Sequence, residues 1–196
     1  MTRRSDRGAF RCMMALAITI AAGCQSTPTP DPDWFDGGPL RPASAETLQL
    51  TARVLAAKGD SARAGYVMNR MLTDYPDFLG TYSEGAEVLV IEGRLSEAIK
   101  WINRGLERFP NQPVLLNDRG MCHLLLADLS SAKADFELAQ AADPDDAEYV
   151  ANLALATALS GDDAAALSLW SRVMPMDDAK ANLAIAKAAR PKFATK

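Results

Sequence analysis

Residues 79–112 read LGTYSEGAEVLVIEGRLSEAIKWINRGLERFPNQ, and residues 113–146 read PVLLNDRGMCHLLLADLSSAKADFELAQAADPDD. Each stretch is 34 residues long, and both carry the same punctuation. Pro110 and Pro144 hold the same place near their ends, and Pro76 stands one period earlier. Gly59 and Gly93 are also one period apart, and Gly161 lies two periods beyond Gly93. Between these marks the apolar residues recur at helical spacing, so each period predicts a pair of helices. The glycines end the first helix of a pair, because they adopt the left-handed conformation at little cost. Asp60, Asp128 and Asp162 are positioned to cap the second helix, and the prolines stop it.

A helical period of this length resembles the tetratricopeptide repeat (TPR). With the prolines at position 32, repeats start at Ala45, Leu79, Pro113 and Ala147. Positions 8 and 20 of that family sit where the two helices of a repeat touch and need small side chains. Here they read Ala52 and Ala64, Ala86 and Ala98, Gly120 and Ala132, Ala154 and Ala166. Position 24 is large and apolar throughout (Met68, Ile102, Phe136, Trp170), as is position 4 (Leu48, Tyr82, Leu116, Val150). The resemblance covers residues 45 to about 173 and implies an all-α solenoid. Position 7, often Leu in the family, is Thr51, Gly85 and Arg119 before Leu153, which predicts weaker packing in the first three A helices. Pro175 arrives early and clips the last B helix; Asp177 to Arg190 then reads as a capping helix.

The expected organisation is a signal peptide at 1–23, a lipidated Cys24 with a Pro-rich linker to 43, and a TPR domain at 44–176. Its repeats span 45–78, 79–112, 113–146 and 147–176, followed by the cap at 177–190 and a tail at 191–196. Arg3, Arg4, Arg7 and Arg11 precede an eleven-residue apolar run, Cys12 to Ala22, too short to cross a bilayer as a helix. Ala21-Ala22-Gly23-Cys24 resembles the lipobox of bacterial lipoproteins, although Ala21 stands where Leu is usual. That resemblance implies cleavage before Cys24, lipid on its sulfur, and, with Gln25 next, an outer-membrane lipoprotein facing the periplasm. Removing four Arg and one Asp leaves 17 basic against 24 acidic residues, so the lipid rather than a basic patch would anchor the chain. Five prolines between Gln25 and Pro42 read as an extended tether. Asp31, Asp33 and Asp36 read as linker charges or a calcium loop; Pro42 stands where such a loop needs a bidentate Glu. Trp34-Phe35 is an aromatic pair that could pack on the domain or meet a partner.

At 196 residues, 48% hydrophobic and only 7% aromatic, the composition suits close-packed helices. A formal net charge of −4 offers no electrostatic footprint for nucleic acid. Cys122 is expected to be a buried, inert thiol and His123 a core or half-buried residue rather than a base. The acids around Pro144 (Asp143, Asp145, Asp146, Glu148) read as helix-capping charges or a metal site. No nucleophile–base arrangement, zinc spacing or phosphate loop is recognisable, so no catalytic residue, metal, cofactor or small-molecule substrate is expected.

The family resemblance implies a concave face built from positions 2, 5, 6, 9, 12 and 13 of the A helices. Here this gives a partner-binding groove of Gln49, Arg53, Glu84, Glu87, Asn117, Asp118 and Asn152, with Glu46, Ser83, Val90, Ile91, Met121, Glu148 and Leu155 around it. The Lys and Arg clamp of chaperone-binding relatives is missing, with only Asn152 and Arg53 echoing it. A groove this acidic is expected to take basic or apolar envelope proteins or peptide segments. Asn152 to Gly161, within the lipid–tether–repeat plan, resembles the lipoproteins of tight-adherence (Flp) pilus systems. That implies a non-enzymatic scaffold for an envelope machine; an adaptor for peptidoglycan enzymes or proteases is the alternative, and an enzyme the remote one.

Overall fold

The computed structural model describes residues 43–193. The signal-peptide, Cys24 and tether readings lie outside them, as do residues 194–196. Nine α-helices occur among the described residues, with no strand. They are α1 (Ala45–Ala57), α2 (Ser61–Asp74), α3 (Gly80–Ile91), α4 (Leu95–Arg108), α5 (Pro113–Leu125), α6 (Leu129–Ala142), α7 (Ala147–Leu159), α8 (Asp163–Trp170) and α9 (Met176–Ala189). Helices pair within each repeat as antiparallel hairpins, and the A helices α1, α3, α5 and α7 stack on one another in order. None of the described helices is long and apolar enough to cross a membrane.

Four identical turns join A to B. In each, the residue after the C-cap has positive φ, and the next N–H reaches back five residues. Asp60 donates to Leu55, Arg94 to Leu89, Asp128 to His123 and Asp162 to Thr157, all between 2.8 and 3.2 Å. This is the Schellman closure, which satisfies carbonyls left free at a helix end. Gly59, Gly93 and Gly161 supply the positive φ in three turns (75°, 73° and 105°). The third turn uses Ala127 at φ 61°, where a Cβ crowds the following carbonyl. Ala127→Gly should therefore stabilise the protein by about 1 kcal/mol and raise Tm by a few degrees in a thermal melt. Asp60, Asp128 and Asp162 then cap the B helices by accepting from the N–H groups of Arg63, Ser131 and Ala165. The second repeat has Arg94 there, with no side-chain cap, and ion pairs from Arg94 to Glu92 and Glu97 instead.

All eight residues at positions 8 and 20 are buried. At Gly120 an added Cβ would lie 2.6 Å from Phe136 Cε1, so the ring of α6 occupies that space. Met68, Ile102, Phe136 and Trp170, one per repeat, are at most 3% exposed and form the spine of the core. Position 7 departs from the expectation of weak packing. Gly85 receives the Trp101 indole, whose Nε1 donates to the Thr81 carbonyl at 3.0 Å. Arg119 reaches sideways into a bidentate pair with Asp135 (2.6 and 2.8 Å) and donates to Asn103 at 2.7 Å. The missing leucines are replaced by a large ring from the partner helix and by a half-buried polar bridge. Only Thr51, exposed on the first helix, packs little; its hydroxyl donates back to the Thr47 carbonyl.

The last hairpin is short. α8 has eight residues, and Pro175 opens α9. Ala179 and Ala186 of α9 are buried, and α9 packs on both α7 and α8. Arg190 fastens the cap by donating twice to the Ala158 carbonyl and pairing with Asp163, which also binds Lys187.

Candidate functional site

Stacked A helices bring equivalent positions to one height, so residues 31 to 35 apart in sequence meet in space. On the A-helix face this builds a pocket of about 360 Å³ between α3, α5 and α7. Ala86, Val90, Val114 and Met121 give it an apolar floor. Glu84 and Glu87 from α3, Asp118 from α5 and Glu148 from α7 supply four carboxylates. Arg53 of α1 spans to Glu84 and, at 2.5 Å, to Glu87, and so offsets part of that charge.

The predicted groove residues take different roles. Glu84, Glu87, Asn117 and Asp118 line the pocket. Asn117 is only 2% exposed, and its amide is committed: Nδ2 donates to Glu148 at 3.0 Å, and Oδ1 accepts from Asn152 at 2.8 Å. Asn117 and Asn152 therefore fix the spacing of α5 and α7 and orient Glu148, rather than offering free groups. Arg53 stands at the rim as a counter-charge. Gln49 is half-buried on α1 and does not line the pocket. Tyr149 and Val114, absent from the sequence-derived set, do line it. Val114 occupies position 2 of its repeat, so the family pattern pointed to it.

Asp118 is the most perturbed acid. Burial, then the negative charges of Glu148, Glu87 and Glu84, push its pKa up to about 7. At and below about pH 7 Asp118 therefore keeps its proton, held there first by burial and then by the neighbouring carboxylates. Beneath it, burial and then Asp118 push the Cys122 thiol up to about 11, leaving no thiolate at pH 7. His123 lies outside the pocket, half-buried, with Nδ1 3.5 Å from Asp128 and Nε2 4.0 Å from Asp135. Asp146 accepts from the N–H groups of Glu148 and Tyr149, so it caps α7. No cluster among the described residues could hold a metal ion.

No protein-family model and no curated protein matches the chain. Solved structures do. TTC0263, a thermophilic TPR protein in Thermus thermophilus, is 22% identical over 76% of this chain and 84% of that one, with a TM-score of 0.62. YrrB, described as a TPR protein with an unusual peptide-binding site, is 19% identical over 78% and 82%, with a TM-score of 0.57. MamA from Desulfovibrio magneticus RS-1 is 19% identical over 71% and 78%, with a TM-score of 0.56. The shared architecture, the repeated turns and the small-residue contacts agree: the chain folds as a tetratricopeptide-repeat α-solenoid.

Proposed function

We propose that the protein is a non-enzymatic interaction scaffold whose pocket takes a Lys or Arg side chain of a partner segment, with apolar neighbours on the floor. One observation carries this reading: four carboxylates face a single guanidinium, and burial with the repulsion of its neighbours raises Asp118 to about 7. An incoming cation would relieve that repulsion and let Asp118 ionise. The peptide-binding site named for YrrB is consistent with a segment-binding role.

The lipobox-like Ala21-Ala22-Gly23-Cys24 supports an envelope lipoprotein, and the Asn152–Gly161 resemblance supports assembly of a pilus or secretion machine. Fatty-acid labelling tests the anchor: Cys24→Ser should abolish label that the native chain takes up, and an unlabelled native chain would refute lipidation.

Binding should depend on pH in a definite direction. Below about pH 7 Asp118 keeps its proton, so a cationic ligand must displace it; above that the carboxylate is already ionised. Affinity for a Leu-Lys-Leu-containing peptide should thus weaken about tenfold from pH 8 to pH 5.5, with proton release measurable by calorimetry in buffers of different ionisation enthalpy. Asp118→Asn should flatten the profile, and a Glu-for-Lys peptide should not bind. Equal affinity for both peptides would refute the reading.

A further inference from the structure

The B helices leave a second groove on the opposite side of the solenoid. Contacts between consecutive B helices are sparse, whereas A helices pack closely, so α2 and α4 splay apart. A pocket of about 400 Å³ opens between them. Met68, Leu89 and Trp101 form its floor; Arg94, Lys100 and Arg104 stand on its α4 wall. Arg94 is engaged by Glu92 and Glu97. Lys100 and Arg104 are exposed; Lys100 lies near enough to Glu97 to help lower that carboxyl's pKa, and neither cation is within 4 Å of a carboxylate oxygen among the described residues.

Gly65 lines this groove from the middle of α2, where glycine is the least favourable helix residue after proline. Its φ is ordinary, and an added Cβ would meet nothing within 4 Å, so neither backbone nor packing requires glycine. One, two and three periods later the same position is Ile99, Lys133 and Leu167; Ile99 and Leu167 are partly buried against the core, and Lys133 pairs with Glu137. An apolar side chain of that size at position 65 would project into the groove and take up part of its open space.

We propose that the α2–α4 groove is a second recognition site, and that it takes an acidic peptide segment of a partner protein bearing one aromatic side chain. The ring would enter the space left by Gly65, over Met68 and beside Trp101, and flanking carboxylates would meet Lys100 and Arg104. Two cations on one wall, with Glu97 at the rim, suit a short acidic segment better than a phosphate polymer. The two faces then prefer opposite charges, so one molecule could hold two different partners together.

Fluorescence anisotropy with the full chain tests this. The probe is a labelled Gly-Glu-Glu-Phe-Glu-Glu-Gly peptide, compared with versions carrying Ala for Phe and Lys for Glu. The parent peptide should bind saturably, and both altered peptides at least tenfold more weakly. Gly65→Leu should abolish binding while matching or exceeding the native melting temperature. Lys100→Glu with Arg104→Glu should weaken binding at least tenfold, and Glu84→Gln should leave it unchanged. No saturable binding by the parent peptide below about 1 mM, or undiminished binding by folded Gly65→Leu, would overturn the proposal. None of these outcomes bears on the acidic pocket, which binds a different peptide.

Discussion

Gly85→Leu should lower stability by about 3 kcal/mol, although leucine is the residue the TPR pattern favours at that position. An added Cβ at residue 85 would lie 2.3 Å from Nε1 of Trp101, well inside contact distance. Trp101 is 8% exposed and cannot swing aside without opening the core between α3 and α4. Its hydrogen bond to the Thr81 carbonyl, at 3.0 Å, would break as the ring moved, leaving the indole N–H without its acceptor. A thermal melt should show Tm falling by roughly 6–12 °C. Gly85→Leu combined with Trp101→Ala should recover part of the loss, because leucine then occupies vacated volume. A single variant that melts with the native protein would mean that the indole does not fill position 7.

Asp135→Ala should cost a similar amount, roughly 3 kcal/mol, for an electrostatic reason. The Asp135 side chain is 7% exposed and accepts two bonds from Arg119. Removing it strands a guanidinium that only Asn103 then satisfies, with His123 adjacent. Urea unfolding should show a lower midpoint at an unchanged m-value. Replacing Arg119 and Asp135 together with leucine should cost much less, since neither charge is then buried alone. A single substitution as mild as the double one would contradict the bridge.

The fold was legible because several kinds of residue repeat at one period. Small residues at the hairpin contacts, glycines at the turns and aspartates at the B-helix caps are local requirements, visible wherever they recur. The exceptions were legible only as gaps. Ala127 makes the same turn as Gly59 because the same local Schellman bonds close around it, and an alanine there gives no sign of the positive φ. Position 7 misled for a related reason: Gly85 and Arg119 are explained by Trp101 and Asp135, each sixteen residues further along on the partner helix.

The candidate site was partly legible. Family positions pointed to Glu84, Glu87, Asn117 and Asp118, but not to which of them are already engaged. A rule for that follows from the stacking. Arg53 meets Glu84 and Glu87 at separations of 31 and 34, Arg108 meets Asp77 at 31, and Asn117 meets Glu148 at 31 and Asn152 at 35. Complementary side chains at these separations pair across the stack, leaving Asp118 without a cationic partner. The raised pKa of Asp118 needed three-dimensional burial and could not be read from charge pattern alone.

Reception of a cationic side chain by the acidic pocket between α3, α5 and α7 can be followed by NMR, titrating the ¹⁵N,¹³C-labelled full chain with the Leu-Lys-Leu peptide and recording amide and carboxylate-adjacent shifts. Saturable shifts should concentrate at Glu84, Glu87, Asn117, Asp118 and Glu148, with the Asp118 side chain moving towards its ionised position at about pH 6.5, just below its raised pKa. Shifts that cluster instead on α2 and α4, or an Asp118 signal that does not respond as the peptide saturates, would contradict it.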